Sequence, residues 1–250
     1  MTTTSASATS APSAFRAASS DAAARDERLL LRSGVLFGVA NLVGLIFILA
    51  FMATTHPPMD ATPVEAATGF RDASLMVGLG TFLAMLGLPL GLLFLGGLGS
   101  VLRRAGDGPL VGTAVSAGIA SFVIPAIGSL VSAISPAIGD ADTSPAAGAV
   151  VKAIDGVMPM SVALGGFPRA VLLIAVVVLL ARAGSLGRGL KLSGYAIAAL
   201  GLIGTGTFIL QPLFGLASLS SLLFAAWLTA LAVVLLRRTA ARTGSAAPGN

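Results

Sequence analysis

The feature that most constrains this sequence is a run of 28 residues, 74–101, that contains no charged side chain. An α-helix rises about 1.5 Å per residue, so about 20 apolar residues cross the hydrocarbon core of a bilayer. The run therefore predicts a transmembrane helix that tilts or begins outside the hydrocarbon. The whole chain follows this pattern, since 56% of its residues are hydrophobic and only 10% are charged, against about 25% charged in soluble domains.

Six apolar runs of this kind predict an all-α fold, a polytopic transmembrane helix bundle. The predicted spans are residues 33–53, 74–101, 109–133, 160–182, 192–210 and 216–236, within a membrane domain over residues 29–238. The prolines between the first two spans predict a loop with a short helix from Pro63. The flanks, residues 1–28 and 239–250, cannot bury enough apolar area to offset their ordering entropy, so they are predicted to be disordered tails.

The basic residues predict the orientation of the bundle. With six spans, twelve of the fifteen Lys and Arg residues fall on one side, and such loops stay in the cytoplasm. Both termini are therefore predicted to be cytoplasmic in a bacterial cell membrane. This placement also accounts for the net charge of +5, which therefore does not indicate nucleic acid. The predicted partners are the lipid bilayer and either a second copy of the chain or another membrane protein.

Arg169 is the charged residue whose position matters most for a site. It lies 13 residues before Arg182, about 20 Å along a helix. If the fourth span begins near Pro168, the side chain lies at the outer interface and extends to water, which is the interpretation that the sequence favours. If the span begins near Pro159, the charge lies within the bilayer, costs about 2.5–3.5 kcal/mol and needs a partner. The candidate partners are Asp155, Asp140 and Asp142.

Other polar and small residues suggest how the helices meet. Asn41, inside the first span, predicts an interhelical hydrogen bond worth about 0.6 kcal/mol, while Gln211 predicts a turn on the outer side. The segment 165–168 predicts a loop before a short helix, or alternatively the unwound part of a discontinuous helix. His56 is predicted to be exposed.

Four-residue spacing of small side chains predicts close helix contacts at Gly34/Gly38, Gly87/Gly91 and a face with Gly112, Ser116, Ala120 and Ser121.

The chain offers few of the groups on which catalysis depends. It has no cysteine and one histidine, which excludes disulfides, thiolate nucleophiles, Cys zinc sites and a bis-His haem. No Asp or Glu lies inside a predicted span, which weighs against proton-driven transport. Phosphate-binding glycine loops and the common hydrolase motifs are absent from the sequence. We therefore predict no catalytic residue, no cofactor and no metal site.

The sequence resembles a family of uncharacterised six-span integral membrane proteins of high-GC Gram-positive bacteria over about residues 28–240. The resemblance implies a six-span topology and no particular activity. Its motifs are Arg-Ser-Gly-Val-Leu-Phe-Gly from Arg32, Leu-Leu-Phe-Leu-Gly-Gly-Leu-Gly-Ser-Val-Leu-Arg-Arg from Leu92, Ala-Arg-Ala-Gly-Ser-Leu from Ala181, and Ala-Trp-Leu-Thr-Ala-Leu-Ala-Val-Val-Leu-Leu-Arg-Arg from Ala226.

Three functions remain open at this point. The first is a non-enzymatic accessory or structural component of the membrane. The alternative is a small-solute transporter or channel with an outward-facing site near Arg169, to which Asp155, Asn41 and Gln211 also contribute. The second alternative is a membrane-embedded, lipid-modifying enzyme, which needs carboxylates or histidines clustered on one cavity. A polar cavity that reaches Arg169 favours transport, whereas a dry, closed bundle favours the accessory role.

Overall fold

The computed structural model describes residues 13–54, 56–57, 60–106 and 108–244, and this part of the chain is helical without a β-strand. The prediction of an all-α fold is confirmed. The α-helices are α1 (Ser13–Thr54), α2 (Pro63–Asp72), α3 (Ser74–Ala105), α4 (Pro109–Ser132), α5 (Ile134–Ala141), α6 (Pro145–Asp155), α7 (Val157–Leu164), α8 (Gly166–Arg182), α9 (Arg188–Gly204) and α10 (Phe214–Gly244), with short 3₁₀ helices at Thr205–Phe208 and Gln211–Leu213.

The main apolar core lies between α3, α8 and α10, towards the end of the bundle where α3 and α8 finish in arginines. We call this the arginine end. On α3 and α10 the buried side chains recur mostly every three or four residues, which places them on one face, whereas α8 is buried over most of its surface. Around this core, α1 packs on α3 and α10, α4 packs on α3 and α8, and α9 packs on α8 and α10. The fully buried side chains include Phe94, Leu98, Leu102, Leu172, Val176, Leu180, Leu228 and Leu231.

Helices α6, α7 and α8 form a nearly continuous helix. The residues between them, Gly156 and Gly165, keep right-handed helical φ and ψ angles of −64° and −18°, and of −60° and −16°. Each of these two breaks lies three residues before a proline, Pro159 or Pro168. A proline has no amide hydrogen to donate to the carbonyl four residues earlier, so the helical hydrogen bonding is interrupted there. The loop predicted at residues 165–168 is therefore wrong: the helix passes through it, and the Arg169 amide donates to the Gly165 carbonyl at 3.2 Å.

Three short helices, α2, α5 and α6, pack on one another at the opposite end of the bundle, and we call them the cap. The predicted short helix from Pro63 is confirmed. A capping box starts it, in which Thr62 Oγ1 accepts from the Glu65 amide at 3.3 Å and Glu65 Oε2 accepts from the Thr62 amide at 2.7 Å. Helix α6 holds the start of α2, since Gly148 lies against the Pro63 backbone and Lys152 Nζ donates to the Ala61 carbonyl at 2.7 Å.

The glycine pairs of α1 and α3 allow the close helix contacts that their spacing predicts. A Cβ atom at Gly34 would overlap a side chain of α3, and one at Gly38 would overlap a side chain of α10. Gly87 and Gly91 likewise lie against side chains of the neighbouring helices α1 and α4. The missing side chains therefore set the distance between these helices.

The small-residue face predicted for the third span is only partly correct, since Ser121 is buried and Ala120 is half-buried. Gly112 and Ser116 are exposed, and a Cβ atom at Gly112 would meet no neighbour. In a helix this rich in alanine, glycine and serine, several faces are small, so spacing alone does not identify the packed one. The buried face carries Ala114, Ala117, Gly118 and Ser121.

Several apolar helices indicate a membrane location for this protein. In the described part of the chain, five segments are long and apolar enough to cross a membrane. The predicted span at residues 192–210 is not one of these five segments, because it is divided between α9 (Arg188–Gly204, 17 residues) and the 3₁₀ helix Thr205–Phe208. The five segments are Arg25–Ile48, Ser74–Ala105, Pro109–Ala141, Pro145–Arg182 and Phe214–Ala241.

Parts of both predicted tails are helical rather than disordered. Helix α1 begins at Ser13 and α10 continues to Gly244, so residues 13–28 and 239–244 belong to these helices. Alanine has the highest helix propensity, and extending an existing helix avoids the cost of nucleation. Residues 1–12 and 245–250 lie outside the described part of the chain.

Candidate functional site

A cavity of about 380 Å³ lies between α1, α3, α4, α7 and α10, on the cap side of the main core. Its walls are mainly apolar, with side chains such as Leu45, Leu88 and Val162. Helix α4 contributes small side chains or proline at Pro125 and Ala126, which leaves the space open. This volume and this largely apolar lining with a few polar groups are typical of small-molecule sites.

Arg169 closes the cavity at the end nearer the main core. Its side chain is 3% exposed, so it does not extend to water as the favoured interpretation of the sequence expects. Its Nη1 donates to Ser221 Oγ at 2.7 Å, and its Cζ lies 5.2 Å from the centroid of the Phe224 ring. Among the described residues, Arg169 Nε has no hydrogen-bond partner and no carboxylate forms an ion pair with the guanidinium.

The buried charge of Arg169 determines which ligands the cavity can bind. A buried charge without a counter-charge is costly, and an anion that binds beside it removes that cost. The planar guanidinium presents a rigid set of donors that matches a carboxylate or phosphate. The cavity therefore has the chemistry of an anion site at this end.

His56 and Asp155 form the other end of the cavity, beside the cap. His56 Nε2 lies 3.3 Å from Asp155 Oδ2, and the imidazole packs on Phe51 and Phe70 with ring centroids 5.1 Å and 6.0 Å apart. The hydrogen bond to Asp155 raises the pKa of His56 above its ordinary value of 6.5. The two side chains are 18% and 35% exposed, so this end reaches the surface. The expectation of an exposed, unpaired His56 is wrong.

The two ends lie about 20 Å apart, so the cavity is elongated. On α1, Phe37 packs on Phe122 at the Arg169 end, with ring centroids 4.8 Å apart, and Phe51 lies at the cap end. These two α1 residues are 14 positions apart, which is about 21 Å of helix. Asp155 and Arg169 are also 14 positions apart along the nearly continuous helix α6–α8, which gives the same length.

Three of the four residues that the sequence nominates for a polar site line this cavity. They are Arg169, Asp155 and Asn41, whose Nδ2 donates to the Phe37 carbonyl of its own helix at 2.9 Å. Asp155 pairs with His56 rather than with Arg169, and Asp140 and Asp142 are exposed. Gln211 belongs to a 3₁₀ helix, but its side chain lies outside the described part of the structure.

Sequence reasoning missed the face of α10 that lines the cavity, on which Ser221 and Phe224 contact Arg169. Ser218, Ser221 and Phe224 recur every three or four residues and all face the cavity. This spacing is a detectable signal for one helix face. It is weak here, because serine is common throughout the helices of this chain.

We expect the cap to become less stable as the pH rises above about 6.5. The raised pKa of His56 means that its protonated form is favoured by folding, an advantage fully present below the unfolded pKa and lost as the pH rises through the folded pKa. His56 is the chain's single histidine, so no other imidazole contributes to the pH dependence. Thermal unfolding in detergent, from about pH 5.5 to about pH 8.5, should show the decline, and Asp155→Asn should flatten it.

The control for this measurement is Asp142→Asn. Asp142 is an exposed carboxylate beside the cap whose pKa is lowered by hydrogen bonds from Ser144, so it titrates well below this range. The control should keep the pH dependence of the unmodified protein. An equal slope in Asp155→Asn and in the control would contradict the role of the His56–Asp155 pair.

Comparison of the chain with protein-family models, with curated proteins and with solved structures finds no match in any of the three.

Proposed function

We propose that the chain is a six-span carrier of the cell membrane that binds a small organic anion at Arg169. Helix α9 and the 3₁₀ helix after it rise together by about 33 Å, enough for a hydrocarbon core of about 30 Å. Counting α9 as a span puts both termini and twelve of the fifteen basic residues in the cytoplasm. The resemblance to six-span proteins of high-GC Gram-positive bacteria supports the same count, and the cap then faces outward.

The observation that carries the proposal is the buried guanidinium at the closed end of the cavity, which has no carboxylate partner among the described residues. Ionisable residues inside membrane bundles are rare, and those that occur mark substrate or ion pathways. Arg169 lies about 20 Å from Arg182 along α8, and the packed core of α3, α8 and α10 fills the arginine end. A cavity open towards the cap and closed at mid-bundle has the shape of an outward-facing carrier.

The same geometry favours transport over the two other functions. An accessory role gives no reason for a cavity that holds an uncompensated cation. A lipid-modifying enzyme needs an activated nucleophile or a cluster of acids and bases. Among the described residues, no hydrogen bond joins His56 or Asp155 to a hydroxyl group, and no three metal-ligating side chains come together.

The test is anion flux from proteoliposomes. Methanesulfonate and octanesulfonate are suitable solutes, because they stay ionised, cross lipid slowly, and present oxygens to a guanidinium as a carboxylate does. We expect at least one of them to leave wild-type vesicles about tenfold faster than protein-free vesicles, an effect of about 1.4 kcal/mol. Arg169→Met should return the flux to the protein-free rate.

The matched control is Arg182→Met, which removes the same charge from the arginine end of the same helix. It should retain the wild-type flux, since Arg182 is not part of the cavity wall. Flux that is equal in wild-type and Arg169→Met vesicles, or that is absent for both solutes, would refute the carrier.

A further inference from the structure

We infer that the anion is an amphipathic monocarboxylate whose carboxylate binds Arg169 and whose unbranched apolar tail lies along the cavity towards Phe51 and Phe70. This inference rests on the proposed anion site and names its ligand class. The juxtaposition that carries it is one buried cation at the closed end of a long, apolar cavity.

The size and shape of the cavity favour a tail over a compact anion. A chloride or acetate ion on Arg169 would leave most of the roughly 20 Å of apolar wall unoccupied. Water gains few hydrogen bonds along the apolar stretches of this wall, so an apolar group is favoured there. Each methylene group that enters an apolar site from water strengthens binding about fourfold, so the tail adds affinity along the whole length.

Several polar side chains of the wall do not oppose an apolar tail, because they donate hydrogen bonds within their own helices. The hydroxyl groups of Ser121, Ser129 and Ser221 each donate to the carbonyl four residues earlier, and the Asn41 amide does the same. Thus these side chains satisfy their hydrogens within their own helices and present the tail with few free donors. Ser132 Oγ, also on the wall, is buried and has no hydrogen-bond partner among the described residues. Arg169 remains the group on the wall that most needs an anionic partner.

The two ends of the cavity fix the direction of the ligand. A carboxylate is attracted to the guanidinium at one end, whereas at the other end His56 is already paired with the Asp155 carboxylate and offers no comparable free cation. The Phe51 and Phe70 rings, whose centroids are 5.3 Å apart, offer apolar surface at the Asp155 end. The end of the tail therefore lies beside these two rings, which predicts where a reactive group on the tail would attach.

The experiment is photolabelling in lipid nanodiscs with palmitate that carries a diazirine at the end of its tail. Peptide mass spectrometry should place the label on the segments that contain Phe51, Phe70 and Met158, which line the cap end. Arg169→Met should reduce this labelling about tenfold, whereas Arg182→Met should not. Unlabelled palmitate should compete at a concentration at least tenfold lower than acetate requires.

The outcomes separate this inference from the proposed carrier. Label spread over lipid-facing residues alike in wild type and Arg169→Met overturns the inference. Competition by acetate at the same concentration as palmitate shows that the tail contributes nothing, so the ligand class is wrong while an anion site stands. Absence of both specific labelling and sulfonate flux in the wild-type protein overturns the carrier as well.

Discussion

Replacing Arg169 by methionine is expected to make the ligand-free protein more stable and to abolish its response to anions. Methionine is unbranched and fills much of the space of the arginine side chain. It removes a buried guanidinium that has no counter-charge among the described residues. Replacing a buried ion pair by apolar residues of similar size stabilises proteins by about 1–4 kcal/mol in favourable cases, and a buried cation without a counter-charge carries a desolvation cost of its own that methionine lacks. We expect a gain in the free energy of unfolding within this range.

The loss of the anion response follows from linkage. A ligand present at about one hundred times its Kd stabilises the state that binds it by about 2.7 kcal/mol. Decanoate, as the test anion, should stabilise the unmodified protein in this way and leave Arg169→Met unchanged. Unfolding can be followed by the fluorescence of Trp227, the chain's single tryptophan, which is buried and donates from Nε1 to the Leu190 carbonyl at 3.0 Å.

An Arg169→Met protein that is more stable without ligand, and that decanoate no longer stabilises, identifies Arg169 as a binding residue rather than a structural one. A structural arginine would stabilise the bundle through Ser221 and Phe224, so its removal would lower the free energy of unfolding. Arg182→Met is the control, and it should change neither the stability of the free protein nor its response to decanoate by more than about 0.5 kcal/mol. If Arg169→Met is less stable than the unmodified protein, the anion site has been misassigned.

Replacing Gly148 by alanine is expected to destabilise the cap. A glycine-to-alanine change inside a helix normally stabilises it by about 1 kcal/mol. At Gly148 the new Cβ atom would overlap backbone atoms of Pro63, which cannot rotate away as a side chain can. Overpacking of this kind costs about 1–3 kcal/mol or more. Thermal unfolding should show the loss, and limited proteolysis should cut between α1 and α2 sooner.

Gly156→Ala is the matched control, because Gly156 follows the same helix and has a φ of −64°. The nearest atom to its added Cβ would be the Ala153 carbonyl oxygen at 3.8 Å. This variant should be as stable as the unmodified protein or more so. Equal behaviour of the two variants would mean that α6 does not pack on α2 as described.

The sequence predicted much of the secondary structure for local reasons. Proline at the first helical position and the Thr62–Glu65 capping box mark where helices begin. The errors arose where residues that normally interrupt a helix are held in helical conformation by packing against other helices. The segment 165–168 contains two glycines and a proline, yet the surrounding helix continues through it, since α4 and α9 pack against Gly165 and Gly166.

The candidate site was predictable in its types of residue but not in their pairing. Arg169 stands out in the sequence because it lies inside the predicted span 160–182, where a charge is rare. Its hydrogen-bond partner Ser221 is 52 residues away in the sequence. Asp155, which the sequence offers as a candidate partner of Arg169, pairs with His56 instead. Which polar groups meet depends on the relative rotation of helices, and periodicity within one helix does not determine that rotation.

The amino-acid sequence by itself determined that this protein consists of apolar helices of membrane length, because each helix satisfies its own backbone hydrogen bonds and needs only local composition to form. Only the tertiary structure decided that Arg169 is buried, with no carboxylate partner in the described part of the chain, and that an elongated cavity leads from it to His56. Both properties depend on the packing of side chains from helices far apart in the chain, where one glycine or serine on a face sets how closely two helices approach.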